Sequence, residues 1–587
     1  MARPVERNIK TDVLIVGSEG AGSSAAIEAR RLGLDVLVAT KGSDIGRSGA
    51  TVTGDADLDV DSRSLHELGF WGADPADSKD RFFEDQVKGG KYLNNQRLVA
   101  IHVDEAPERL KTLLEWGVTV DQVVRSSGHS YPRGCVIPGT RLSTVLRSVT
   151  KKSGAALLPF TIVTDLITHE GSVVGAVALD AQRGEVVVVR AKSVILATGG
   201  ASRMYPYTTA PEDLTGDGQA MAWRAGADLV DMEFPMFLPG VFPWPPAVQG
   251  VDIPFQYSTL GLIHGWMLNR HGERFMARWD PARMEHSTRD ICSVAMMTEI
   301  LEGRGSPRGG VYVSLKHLPD NLIDDIYEWA PKEFFTQYGG FAVRDFIPDL
   351  RKDAMQAVPA SHFFNGGVRI NEQCETTIRS LFAAGEVTGG VHGANRLSGN
   401  AFTEMLVWGH RAGHFAAKRA REYDWGPVDR HQLDRARERI CGPLERESGT
   451  NPKDVKKRMR QVAWEKLGVV RDGATIEQAL REVDDMCAQV PHLSTRCKAG
   501  VFNRELAECL SLESMLFVLK CIGVASLSRT ESRGALYRRD FPLMDNTAWL
   551  KNSVISSRDG RIELRHEPVV ITKITPPAGL FRFGQTE

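Results

Sequence analysis

Close cysteine pairs are missing from this chain of 587 residues. The eight cysteines (Cys135, Cys292, Cys374, Cys441, Cys487, Cys497, Cys509 and Cys521) are scattered, with no CxxC or CxH pair among them. Zinc and iron–sulfur sites draw on such pairs, so no metal centre is expected within the chain, and most of these thiols read as small buried hydrophobes. Net charge is nearly absent too. The 72 Lys and Arg against 74 Asp and Glu leave −2, no footprint for nucleic acid or an anionic membrane surface. No apolar run approaches the roughly 20 residues of a membrane span, and the opening "MARPVERNIKTDVLIVG" lacks the apolar core and cleavage site of a signal peptide. A cytoplasmic protein with no direct membrane span and no nucleic-acid partner is therefore expected. Aromatic residues are sparse at 7%, while 42% hydrophobic and 25% charged residues are ordinary for a globular protein. At this length two or three domains are expected.

Near the start, "TDVLIV" is an apolar, β-branched run of strand length, and "SSAAIEARRLG" reads as a helix ended by Gly33, followed by a second strand, "DVLVAT". This is the β-turn-α-β context in which a glycine fingerprint for a dinucleotide becomes credible. The loop between, Gly17-Ser18-Glu19-Gly20-Ala21-Gly22, departs from that fingerprint at its third place, where Glu19 stands instead of glycine. Gly17 would make the tight turn, Gly22 would let helix pack on strand, and Gly20 would take over part of the middle glycine's permissive role. The second strand ends in Thr40 and Lys41, where a nicotinamide site would carry an acidic residue for the ribose; a hydroxyl and a cation suit a phosphate-bearing cofactor. Glycine-rich turns recur at Thr198-Gly199-Gly200, at Thr215-Gly216-Asp217-Gly218 opening a helix, and at Gly385-Glu386 before a glycine-rich loop and another helix. A helix start of that kind faces an anion. Nucleotide recognition thus returns late in the chain, and the residues between are an insertion.

The stretches "ATGG", "TGDG", "LNRHGERFM", "STRD", "EILEGRG", "PASHFFNGGV", "AAGE", "HGANRLSGN" and "RTESRGALYRRDFP" occur in the order found in one family and cover nearly the whole chain. On them the sequence resembles the succinate dehydrogenase and fumarate reductase flavoproteins, a family that includes L-aspartate oxidase and, more distantly, adenylylsulfate reductase. The resemblance implies an α/β fold: a glutathione-reductase-like Rossmann domain for FAD, an inserted α+β capping domain and a helical C-terminal domain. The boundaries expected are 1–235 and 355–420 for the two parts of the FAD domain, 236–354 for the cap, and 421–587 for the helical domain with its tail.

The same resemblance implies FAD contacts from Gly17, Ser18, Glu19, Gly20, Ala21 and Gly22, from Thr40 and Lys41, from Ser48, Gly49 and Ala50, and from Thr198, Gly199 and Asp217. Late in the chain it implies them from Glu386, the expected ribose partner, and from Arg396, Asn400, Ala401 and Phe402. Arg289 in "STRD" would exchange the proton, while His362 in "PASHF" and Arg396 in "HGANR" would clamp a substrate carboxylate. Respiratory members bond a histidine to the flavin in the motif Arg-Ser-His-Thr; this chain reads "GRSGAT", with Gly49 in the histidine's place, so noncovalent FAD is expected.

A further departure lies where dicarboxylate-specific members hold the second carboxylate. Here "FPMFLPGVF" puts Leu238 in place of a histidine, and "QYSTLGLIHGW" offers only Tyr257, Ser258 and Thr259. An aliphatic side chain cannot replace a donor to a buried carboxylate. Phe237, Leu238, Tyr257, Thr259 and His362 are the expected pocket, and the local aromatics Phe234, Phe237, Phe242, Trp244, Tyr257 and Trp266 either line it or form the cap's core.

The reading is an FAD-dependent oxidoreductase that reduces or forms a C=C bond conjugated to a carboxylate, on a substrate other than a simple C4 dicarboxylate. An iron–sulfur or other electron-transfer partner would complete the cycle. The alternatives are an adenylylsulfate-reductase-like protein, an L-aspartate-oxidase-like enzyme, and a noncatalytic assembly subunit.

Overall fold

The computed structural model describes residues 6–584 apart from 127, 252–264, 326 and 328–346. The first strand, Glu6–Val16, buries Val13, Leu14, Ile15 and Val16 and runs parallel to Val36–Ala39 on one side and Glu185–Leu196 on the other. Such continuous apolar runs are what a strand covered on both faces requires. The full sheet orders its strands as Ala156–Leu158, Val36–Ala39, Glu6–Val16, Glu185–Leu196, Ser172–Asp180 and Thr161–His169, with Leu381–Ala383 also joined parallel to Glu185–Leu196. The expected β-turn-α-β unit is therefore present, and the late return of the chain is the strand Leu381–Ala383.

Two helices cross tightly on this sheet. Helix Gly20–Arg31 lies against Asn400–Glu422, and a Cβ on Gly409 or Gly413 would meet the carbonyl oxygens of Ala21 at 2.5 Å or Ala25 at 2.3 Å. Only hydrogen at those two positions lets the backbones approach so closely.

The insertion carries a four-stranded antiparallel sheet in the order Pro235–Val241, Met355–Phe364, Val311–Ser314 and Trp266–Leu268, covered by helix Arg289–Leu301. Between Met236↔Phe363 and Phe237↔Ser361 the register shifts, leaving His362 as the extra residue of a bulge. A bulge re-aims a side chain that a regular ladder would send elsewhere.

Helices Arg430–Glu445, Pro452–Leu467, Gly473–Cys487 and Arg504–Ser528 make the C-terminal region helical, as expected. The tail then adds a hairpin, Lys551–Arg558 with Arg561–Pro568, to a sheet shared with Leu229–Val230. Helix Arg504–Ser528 corrects the expectation that no apolar run matches a membrane span. Among the described residues it is long and apolar enough, but 67% of its most apolar stretch is buried inside the protein, with Leu512, Leu516 and Leu519 in the main core.

Candidate functional site

The sheet's C-terminal strand ends, the late loop and the insertion enclose a cavity of about 1160 Å³. Ligand pockets commonly hold roughly 300–1,000 Å³, so this one admits a large cofactor with a small second ligand. Of the residues expected at the cofactor, Gly17, Ser18, Glu19, Gly20, Ala21, Thr40, Lys41, Ser48, Gly49, Ala50, Thr198, Gly199, Asp217, Glu386, Arg396, Ala401 and Phe402 line it. Two do not. Gly22 acts from behind: its Cβ would stand 2.0 Å from the Gly17 carbonyl, so it allows the turn to close on the helix. Asn400 is buried at the start of its helix and holds neighbouring side chains, accepting from Gln86 Nε2 at 2.8 Å and lying 3.1 Å from His102 Nε2.

The nucleotide half is built from short polar links between loops. Gly17 turns with φ 109°, and its Cβ would strike the Ala197 carbonyl at 2.1 Å. Ser18 Oγ donates to Thr40 Oγ1 at 2.9 Å, and Thr40 lies 3.3 Å from Ser48 Oγ. Lys41 Nζ sits 2.5 Å from Asp217 Oδ2 and donates to Thr215 Oγ1 at 2.8 Å. Its charge therefore ties the second strand to helix Asp217–Arg224 instead of standing open for a phosphate. Glu386 accepts from the Phe364 amide at 3.1 Å, and burial pushes its carboxyl up to about 7. A Cβ on Gly200 would fall 2.3 Å from Glu386 Oε1. Thr198 Oγ1 is buried with no hydrogen-bond partner. An unsatisfied hydroxyl, a glycine turn and a helix start around one cavity fit FAD.

At the other end three basic side chains converge. Arg289 begins its helix, Arg396 comes from the late glycine-rich loop, and His362 sits on the bulge; all three line the cavity. Arg289 Nη2 donates to Ser398 Oγ at 3.0 Å. Arg396 lies over the Phe363 ring at 4.5 Å and donates to the Leu397 carbonyl at 3.1 Å. His362 Nδ1 is 2.8 Å from Thr209 Oγ1. Burial, then the charges of Arg289 and Arg396, hold His362 well below the usual histidine range. The imidazole is thus neutral, and with Thr209 on Nδ1 its Nε2–H is left to donate.

The expected substrate pocket is only partly assembled. Leu238 lines the cavity together with Pro239. Phe237 does not: it is core, packed edge-on against Tyr205 at 5.1 Å and Trp464 at 6.4 Å. Strand alternation explains the split, because neighbours on Pro235–Val241 face opposite sides. Tyr257, Ser258 and Thr259 lie outside the described residues. The other aromatics are also away from the cavity: Phe234 and Phe242 are core, Trp244 is half-exposed beside Arg308, and Trp266 stacks on His317 at 4.1 Å.

A polar wall stands in their place, and no motif announced it. Asp57, Gln122, Arg125, Ser126, His129, Arg283 and His286 all reach the cavity. Asp57 accepts from Ser126 Oγ, and burial next to Asp59 pushes its carboxyl up to about 6. His129 Nε2 lies 3.3 Å from Asp59 Oδ2 and 3.0 Å from the Ser398 carbonyl, linking this wall to the loop that holds Arg289. These residues come from a small sheet, Asp55–Asp59 with Gly134–Pro138 and Val123–Val124, whose pairing cannot be read locally.

A dinucleotide cradle facing a cluster of carboxylate-binding cations defines a flavin-dependent oxidoreductase. Residues 12–402 match the FAD binding domain family and residues 456–579 match the fumarate reductase flavoprotein C-terminal family. The chain belongs to the succinate dehydrogenase and fumarate reductase flavoproteins and is an FAD-binding oxidoreductase of the type acting on CH–CH bonds. It is 38% identical over 541 residues to the CoM/CoB fumarate reductase flavoprotein of Methanothermobacter marburgensis, covering 90% of this chain and 94% of that one. Among solved structures it superposes on the E. coli quinol fumarate reductase FrdA with a TM-score of 0.85 at 27% identity, over 98% of this chain and 99% of that one. It shares the fold of adenylylsulfate reductase from Archaeoglobus fulgidus at 19% identity, with a TM-score of 0.77 and 98% of both chains covered.

Proposed function

We propose that this protein reduces, or in reverse forms, a C=C bond conjugated to a carboxylate. The observation that carries the reading is the convergence of Arg289, His362 and Arg396 on one end of the FAD cavity. FAD supplies the hydride donor or acceptor for the carbon β to the carboxylate. Arg396 and the Nε2–H of His362 grip the carboxylate, where negative charge develops as the hydride arrives. Arg289 then gives its proton to the α carbon, or takes it in the reverse direction. An arginine acts as an acid only when desolvated, which its 7% exposure supports. Residues 236–354 are the capping unit in this reading, and their closure over substrate completes that desolvation. No group of His, Cys, Asp and Glu able to hold a metal occurs among the described residues, so electrons come from a partner, an iron–sulfur protein or another carrier.

The substrate is an unsaturated acid other than a simple C4 dicarboxylate. Leu238 and Pro239 form an apolar wall where a second carboxylate would need a donor. A second reading, fumarate itself, is favoured by His286 and Arg283, which line the cavity and could receive the far carboxylate from another side. Turnover of fumarate and of monocarboxylic enoates with a reduced dye separates the two. A preference for enoates that survives His286→Ala supports the first, and fumarate turnover lost in that variant supports the second. Arg289→Ala lowers kcat by roughly 10²- to 10⁴-fold on the true substrate, the usual span for a positioned acid, with flavin content unchanged.

A further inference from the structure

Glu19 and Gly49, the two departures in the cofactor loops, touch each other. A Cβ built on Gly49 would fall 2.7 Å from Glu19 Cγ, so the glutamate occupies the space that any side chain at position 49 would enter. Glu19 Oε1 accepts from the Ser48 amide at 3.0 Å, and the adjacent Gly20 amide donates to Thr51 Oγ1 at 3.2 Å. The carboxyl therefore fastens residues 48–52 to the start of the first helix. Its second oxygen, Oε2, is buried with no well-formed hydrogen bond.

An ionised carboxylate with a dry, poorly partnered oxygen is costly, and more so in the cavity that takes the FAD pyrophosphate. Among the described residues no cation offsets it. Of the charged groups on the surrounding elements, Asp213 acts on Glu19 and opposes ionisation. Lys41 is held by Asp217, Glu404 lies 3.2 Å from His392, Asp57 is bonded by Ser126, and Arg47 is exposed. Burial, the largest influence, outweighs the Ser48 amide, the Thr51 hydroxyl and the Val52 amide, which favour the charged form, and with Asp213 pushes Glu19 up to about 8.

We propose that Glu19 and Gly49 are one device: an uncharged glutamate braces the 48–52 loop in the space a tethering side chain would need, so that FAD is held noncovalently and is released at alkaline pH. The inference rests on FAD binding alone, not on the substrate reading. The sign follows from linkage: FAD binds the protonated form, so affinity is full below the carboxyl's ionisation and falls up to tenfold per pH unit above it. With ionisation at about 8, the Kd for FAD rises roughly 30-fold between pH 7 and 9.5.

The test is the Kd of the full-length protein for FAD, read from flavin fluorescence across pH 6.5–9.5. Wild type should weaken as stated and Glu19→Gln, neutral at every pH, should stay flat; that control separates Glu19 from Glu386, which also titrates near the range. A flat wild-type profile, or one the Gln variant reproduces, would overturn the proposal. A second comparison removes dependence on one variant's folding. Gly49→Ala should bind FAD poorly, and Gly49→Ala with Glu19→Ala should recover part of the affinity, since φ 84° strains both alike and only the clash differs. A double variant no better than the single would also contradict it.

Discussion

At the scale of single residues, what a motif places and what it leaves out can be told apart. Arg289, His362 and Arg396 are far apart in the chain, yet each was legible because it sat in a short stretch of matching type. Phe237 was not, since alternation along a strand decides which neighbour faces a cavity, and one residue of register separates core from pocket. Asp57, Arg125 and His129 carried no signal, because strands far apart in sequence bring them together. Leu238 carries the specificity argument. Leu238→His should raise turnover of fumarate relative to crotonate about tenfold or more, the worth of a hydrogen bond to a charged group. Initial rates with both acids check it, and an unchanged ratio would place the far end of the substrate elsewhere.

Among elements, the first strand, turn and helix were readable because continuous apolar residues, a glycine turn and a helix-forming run agree. The altered fingerprint survives because its glycines do separate jobs. Gly22 permits contact between turn and helix, so Gly22→Ala should force the loop open at a cost of about 1–3 kcal/mol, the usual range for overpacking, and lower both Tm and bound FAD per chain. Absorbance at flavin and protein wavelengths with a thermal melt measures both. The bulge at His362 was not readable, since the register shift depends on the partner strand, Pro235–Val241. Without it, His362 would alternate with its neighbours and lose its shared approach with Arg289 and Arg396. The apolar helix Arg504–Ser528 shows the converse: composition alone suits a membrane, and only its packing places it in a core.

For the whole molecule, the account joins a long-range sheet that builds the cofactor end to an insertion that builds the reacting end, with one cavity between. The order of elements was legible from the recurrence of glycine turns; the closeness of the polar wall was not. Because Gly49 offers no atom for a bond to flavin, acid precipitation of the holoprotein should leave its FAD in the supernatant, and yellow colour retained in the pellet would contradict noncovalent binding. The central claim is that this chain moves hydride across an activated C=C bond with Arg289 as proton donor. Its most direct test is stopped-flow reoxidation of the anaerobically reduced protein, wild type and Arg289→Ala, by crotonate, cinnamate, fumarate and adenylylsulfate. The account predicts rapid return of flavin absorbance with an enoate in wild type only, the variant staying reduced. Reoxidation by adenylylsulfate alone, or an enoate reacting equally fast in both proteins, would contradict it.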